Sequence, residues 1–265
     1  MRIDNYRGWA DEPLPTSGPG AALPVPPTFD SSTLLGIDVS HYQGNVDFAK
    51  VKGAGASFVF IKATEGTTYV DPNFAVYRNA CKAAGLPRGF YHFFRAKDDV
   101  QAQIDLFVKT VGRPQPGDLP PVLDVEAPED WTSFTVAQRV AMVLAWLKGV
   151  EAALGVRPII YINNPMTNTV LGNPAAFSGY VLWIAHYTSR PAPSVPLPWT
   201  SWTFWQYSET GTIAGISGAV DLNRFAGSLS ALQNMQVAGI AAAADETFFG
   251  RVRGWLRRLL QSIGL

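Results

Sequence analysis

From Leu34 onward, apolar residues recur along this chain in two alternating rhythms. Short runs at Leu34–Val39, Phe58–Lys62, Gly89–Phe94, Val122–Glu126, Pro158–Ile162, Val181–Ala185, Thr203–Tyr207 and Val220–Asn223 have the length and the β-branched or aromatic content of strands. Between several of them the spacing becomes helical: Phe74, Tyr77 and Cys81 form one stripe, Val100, Ile104, Phe107 and Val108 another, and Val136–Leu154 carries a long third. Strands alternating with amphipathic helices predict a parallel sheet covered on its faces. Strands in this number, spread over roughly two hundred residues, predict an α/β fold, a single modified and somewhat abbreviated (β/α) TIM-like barrel. Such a barrel builds its site at the C-terminal strand ends, and Asp38, Lys62, His92, Glu126, Asn163, Tyr187, Tyr207 and Asp221 all fall at or near an end of one of these runs.

The flanks differ from this core. Residues 1–33 are rich in Pro and Gly and read as an extended N-terminal arm or linker, residues 34–229 as the barrel, and residues 230–265 as a tail. In the tail, Phe248, Val252, Trp255, Leu256, Leu259, Leu260 and Ile263 lie at helical spacing, and Arg251, Arg253, Arg257 and Arg258 add charge with no acid among them. This predicts a basic amphipathic C-terminal helix. One reading has Arg251, Arg253, Trp255, Arg257 and Arg258 engage an anionic membrane or outer-membrane surface. The other packs the stripe on the barrel or a second subunit, and Gly250 and Gly254 weaken the helix in isolation.

Composition narrows the classes. With 265 residues, 47% of them hydrophobic, the chain can bury one barrel-sized core. Lys plus Arg equals Asp plus Glu at 21 each, so no overall basic field steers it to nucleic acid. Cys81 is the single cysteine, which excludes an intrachain disulfide, and its helical setting predicts a small buried side chain. His41, His92 and His186 lie far apart without a His-x-x-x-His pair, so no metal and no cofactor is expected, and His92 and His186 read as structural.

The chemistry concentrates in Leu119-Pro-Pro-Val-Leu-Asp-Val-Glu126, where Asp124 and Glu126 stand two apart behind an apolar run. On a strand both point to one face. Crowded like charges raise the pKa of one member, leaving an acid beside a carboxylate, the arrangement that glycosidic cleavage uses. A chitinase pattern, Asp-x-x-Asp-x-Asp-x-Glu, fails because its earlier positions here are Leu119 and Val122.

Around this pair lie Gly36-Ile-Asp-Val-Ser-His-Tyr-Gln-Gly44, Phe60-Ile-Lys-Ala-Thr-Glu-Gly66, Gly89-Phe-Tyr-His-Phe93, Leu182-Trp-Ile-Ala-His-Tyr187, Trp205-Gln-Tyr207 and Val220-Asp-Leu-Asn223. In order and spacing these motifs resemble the glycoside hydrolase family 25 lysozymes, the N-acetylmuramidases of bacteria and their phages. The resemblance runs from about Leu34 to Leu229, with Phe48 standing where the family commonly has a tryptophan. It implies cleavage of the β-1,4 bond between N-acetylmuramic acid and N-acetylglucosamine in peptidoglycan, Glu126 as general acid, Asp124 as its neighbouring carboxylate, and Asp38 and Asp221 completing the acidic cluster. It also suggests retention assisted by the substrate's 2-acetamido group, with water attack and inversion as the rival. Tyr91, Tyr187 and Trp205 sit at motif positions where an aromatic face could stack on a sugar, with core packing as the alternative.

A protein that kept the barrel and lost turnover, a peptidoglycan-binding or injection-device module, is the rival of a different class. The expected partner is bacterial peptidoglycan, and the expected state a monomer. The N-terminal residues lack an apolar h-region and no run is long enough to span a bilayer. The expectation is therefore synthesis in the cytoplasm and action at the wall or periplasm through a holin, a phage particle or a dedicated secretion system.

Overall fold

The computed structural model describes residues 33–237, together with Gly254, Arg258 and Gln261 on a C-terminal helix. The N-terminal arm and the rest of the tail, including Arg251, Arg253, Trp255 and Arg257, lie outside the described residues. Eight strands close into a ring: β1 (Thr33–Val39), β2 (Phe58–Glu65), β4 (Arg88–Phe93), β5 (Val122–Val125), β6 (Ile159–Asn163), β7 (Val181–Ala185), β8 (Phe204–Gly211) and β9 (Val220–Ala226). The two-residue β3 (Tyr69–Val70) pairs antiparallel with the end of β2 as a side ribbon.

The expected parallel sheet holds from β1 through β8 and fails at β9, which runs antiparallel to both β8 and β1. The reason lies in the connection. Between Gly211 and Val220 there is no room for the dozen or so residues that a parallel crossover needs. Helices cover the first part of the ring: α1 (Phe48–Gly53), α2 (Phe74–Ala83), α3 (Val100–Val111) and α4 (Val136–Leu154). Later connections carry only a π-helical turn at Met166–Val170 and a 3-10 turn at Ala175–Phe177, which is how the barrel is abbreviated. The predicted limits of α4 follow from its ends: Thr135 and Gln138 form a capping box, and Gly155 at φ 69° supplies the left-handed residue that stops the helix.

Strand periodicity sorts side chains into two layers. Facing outward, Ile37, Val39, Val59, Ile61, Leu123, Val125, Ile160 and Ile162 pack against the helices. Facing inward, Phe58, Phe60, Val122, Ile159, Trp183, Phe204 and Phe225 fill the barrel, with Phe60 stacked on Trp183 at 4.3 Å. Two glycines are required by this filling, because a Cβ on Gly36 would come within 2.2 Å of the Phe58 ring and one on Gly89 within 2.5 Å of Phe60. Phe48, at the family's tryptophan position, is buried with its ring edge-on to Tyr77. Cys81 is wholly buried as expected, and burial pushes its thiol up to about 12.

The inward positions change character along the barrel axis. Stepping two residues toward the mouth, Gly36 gives way to Asp38, Phe60 to Lys62, Gly89 to Tyr91, Val122 to Asp124, Ile159 to Tyr161 and Phe204 to Gln206. On the reversed β9 the same progression reads backward, from Phe225 through Asn223 to Asp221. An apolar floor thus supports a polar mouth. At the floor, Arg88 and Asp118 form a buried ion pair at 2.7 Å, and the Val237 amide donates to the Asp118 carbonyl at 2.8 Å.

Candidate active site

The mouth holds two carboxylate pairs. Asp124 lies on β5, in register with Phe93 on β4 and Tyr161 on β6, and Glu126 follows just beyond the strand end. Ala127 then takes a left-handed conformation, φ 57°, uncommon for a residue with a side chain. The Trp131 indole donates to the Glu126 carbonyl at 2.8 Å, which fixes the backbone where the acid leaves the strand. The two carboxyl groups are in hydrogen-bonding contact. Burial raises the pKa of both, and for Asp124 the Glu126 charge adds to it, so the two carboxyls share a proton that belongs to the pair. Asp124 Oδ1 is buried and accepts no hydrogen bond from an amide, hydroxyl or basic group among the described residues. Lys62 partly offsets the repulsion at both acids, and Arg95 does so at Glu126. These cations are held in turn by Glu65, at 2.6 Å from Lys62 Nζ and 2.9 Å from Arg95 Nε.

The second pair joins the first and last strands. Asp38 on β1 and Asp221 on β9 are register partners, and their carboxyls share a hydrogen bond. Asp38 Oδ2 also accepts from Gln206 Nε2 at 3.0 Å and from Asn223 Nδ2 at 2.7 Å. Neither amide is free to flip. Gln206 Oε1 accepts the Tyr161 and Tyr187 hydroxyls at 2.7 and 2.6 Å, and Asn223 Oδ1 accepts the Trp183 indole at 2.8 Å. Burial raises Asp38, but these donors pull it back, whereas burial and the Asp38 charge both drive Asp221 well up. The amide donors thus favour charge on Asp38 over charge on Asp221.

The sequence-predicted sugar platforms separate. Tyr91 is half-buried on the inner face, where burial and the charges of Asp38, Asp124 and Asp221 all drive its hydroxyl up. Tyr187 stands half-buried at the mouth with its hydroxyl on Gln206. Trp205 is corrected: it is 0% exposed, packs in the outer layer against Trp202 and Tyr207, and donates its indole N–H to the His186 carbonyl at 2.7 Å. Since Phe204 and Gln206 face inward, their neighbour must face out, and it has no surface to offer a ligand.

His92 and His186 occupy structural positions. His92 is buried and stacked on Trp146 at 5.4 Å, with Thr64 Oγ1 2.7 Å from Nδ1 and Gln103 Oε1 3.0 Å from Nε2, and burial lowers its pKa to about 4. His186 Nδ1 accepts the Ser194 amide at 3.0 Å. Among the described residues no cluster of His, Cys, Asp and Glu could hold a metal ion. Of the tail positions, Arg258 is described: it is helical and exposed. Sequence reasoning left out Tyr161, Gln206 and Asn223 as site residues, and also the Glu65 and Arg95 rim.

A buried ring of paired carboxylates at the mouth of a β/α barrel is the apparatus of a glycosidase. The model of Glycosyl hydrolases family 25 matches residues 37–216, and the chain belongs to that family. It is a lysozyme-type glycoside hydrolase. Lysozyme M1 of Streptomyces globisporus is 40% identical over 215 residues, covering 77% of this chain and 71% of that protein. The N,O-diacetylmuramidase of Chalaropsis is 35% identical over 206 residues, 71% of this chain and 96% of the relative. The crystal structure of a bacterial lysozyme from Streptomyces coelicolor superposes with a TM-score of 0.75 at 37% identity, covering 78% of this chain and 98% of that one.

Proposed function

We propose that this enzyme cleaves the β-1,4 bond between N-acetylmuramic acid and N-acetylglucosamine in bacterial peptidoglycan, with Glu126 as general acid and Asp124 as the carboxylate that steadies an oxazolinium formed by the substrate's own 2-acetamido group. The observation that carries this reading is the Asp124–Glu126 contact together with the buried Oδ1 of Asp124, which no amide, hydroxyl or basic group among the described residues satisfies. A buried polar atom without a partner is expensive, and a substrate amide N–H is a group that can satisfy it. Accepting that N–H favours the ionised form of Asp124, so the shared proton passes to Glu126, facing the leaving oxygen. Carboxyls in contact leave no gap for the attacking water of an inverting enzyme, whose two carboxyls stand about 6.5 to 9.5 Å apart. This favours retention. Asp38, whose charged form two amide donors favour, supplies fixed negative charge for the oxocarbenium-like transition state. Tyr91 and Tyr187 are the aromatic residues left to line the sugar site once Trp205 is set aside.

Incubation with purified sacculi tests the reading. New reducing-end muramic acid detected by mass spectrometry is the expected product, and binding without soluble muropeptides would instead favour a non-catalytic wall-binding module. The anomeric form of the first product, read by NMR, separates retention from inversion. For the tail we propose contact with an anionic lipid surface. Deleting residues after Ala244 is expected to reduce binding to anionic vesicles and to spare cleavage of sacculi; unchanged vesicle binding would dispose of the membrane contact. Delivery from the cytoplasm to the wall by a holin, a phage particle or a secretion device belongs to the same proposal.

A further inference from the structure

Among the described residues the large exposed hydrophobic side chains include two aromatic ones, Tyr42 at 67% exposure and Tyr69 at 37%, and both stand on the same sector of the rim. Tyr42 lies on the 3-10 turn His41–Gln43 that follows β1, four residues beyond Asp38, and Tyr69 on the β3 ribbon that folds back on β2. His41 joins them, its ring 4.0 Å from that of Tyr42 and 6.1 Å from that of Tyr69. Lys62 Nζ then sits 5.7 Å from the Tyr69 ring and 5.0 Å from Phe93, and Lys62 is the cation whose charge acts on Asp124 and Glu126. An unbroken row of rings and a cation thus runs outward from the acids.

The row is built rather than loose. Asp71, 2% exposed, accepts the His41 backbone amide at 3.0 Å, the His41 Nδ1 at 2.9 Å and the Asn73 amide at 2.9 Å, tying the β1 turn to the segment after β3. Ser40 and Gln43 close a capping box around the same turn. Exposed rings held this firmly beside a cleft suit a flat amphipathic ligand with apolar faces and polar edges, which describes a pyranose.

We propose that Tyr42 and Tyr69 form a sugar-binding shelf for a unit of the glycan strand remote from the cleaved bond, so that long strands bind more tightly than short ones. This rests on the muramidase reading, because the occupant is the continuation of the strand in the cleft. Binding energy spent away from the reacting centre and equal in ground and transition states lowers KM without raising kcat.

The test uses peptide-free strands of alternating N-acetylglucosamine and N-acetylmuramic acid, sorted by length. Tyr42→Ala, and Tyr42→Ala combined with Tyr69→Ala, are expected to raise KM about tenfold on long strands, with kcat unchanged and no change on the shortest strand cleaved. Tyr42→Phe keeps the ring face and is expected to behave as wild type. Equal loss at every length, or none on long strands, would overturn the shelf. Should the wild-type protein cleave nothing, the muramidase reading fails separately, and calorimetry of the same strands against Glu126→Gln, with and without Tyr42→Ala, still tests the shelf: about tenfold weaker binding of long strands supports it, and equal binding rejects it.

Discussion

The two carboxylate pairs stand across one ring, Asp124 and Glu126 at the end of β5 and Asp38 and Asp221 on β1 and β9, but they are held differently. Asp38 takes two amide donors whose orientations are fixed by two tyrosines and a tryptophan. Among the described residues Asp124 has no such clamp, and its buried Oδ1 accepts from no amide, hydroxyl or basic group. A clamped acid keeps its charge state through a reaction cycle. An unclamped one can exchange its proton when a ligand arrives. On the proposed mechanism, preorganised charge and a mobile proton are separate catalytic tasks, one on each wall.

The largest expected effect falls on the unclamped pair. Glu126→Gln cannot donate a proton and is expected to lower kcat on sacculi by about a thousandfold, within the range for losing a general acid, with unchanged circular dichroism. A variant with near-native turnover would remove Glu126 from its role. A smaller effect is expected at the clamp. Asn223→Leu removes one of the two amide donors from Asp38, which raises the pKa of that carboxylate further. Activity should fall about tenfold, and the acid limb of the kcat/KM profile should move to higher pH while the alkaline limb, set by the Asp124–Glu126 proton, stays in place. Movement of both limbs together would mean that the two walls titrate as one unit.

Stability gives a gentler contrast. The Asp221 pKa is raised in the folded protein, so its contribution is fully present below the unfolded carboxylate value near 4 and is lost as pH rises through the folded one. Asp221→Asn, which does not titrate, is expected to melt a few degrees above wild type at pH 7 to 8, with the gap closing toward pH 4. A constant gap across that range would detach Asp221 from the effect. Smallest in activity is Trp205→Phe, expected to lose about 1–2 kcal/mol of stability with the indole bond to His186 and some packing, at unchanged KM. A raised KM would return Trp205 to the sugar site.

Most of the barrel was legible because its signals are periodic. All eight ring strands and the limits of α4 follow from apolar spacing and caps, and the positions of the four acids follow from motif order. The reversal of β9 was not legible in its own residues, since a buried strand reads the same in either direction; the shortness of the link from Gly211 to Val220 was the available clue. Gln206 and Asn223 were passed over because a neutral amide on a strand carries no pattern of its own, and their importance lies in the donors that aim them. For Trp205 strand parity decides between the two readings: once Gln206 is required inside, its neighbour is committed to the outer layer. Tyr42 and Tyr69 give no signal in one dimension, because Asp71, thirty residues after His41, brings their segments together.

The reversal of β9 also bears on how the enzyme is made. Its strand is the last of the barrel to leave the ribosome, yet it pairs with the first and delivers Asp221 opposite Asp38. Pairing of such distant segments is slow and comes late in folding. A nascent chain that stops short of Val220 has an open sheet, lacks Asp221 and lacks Asn223, one of the two amides that donate to Asp38. On the proposed mechanism, the strand that closes the ring is also the one that completes the site, so folding and arming end on the same step.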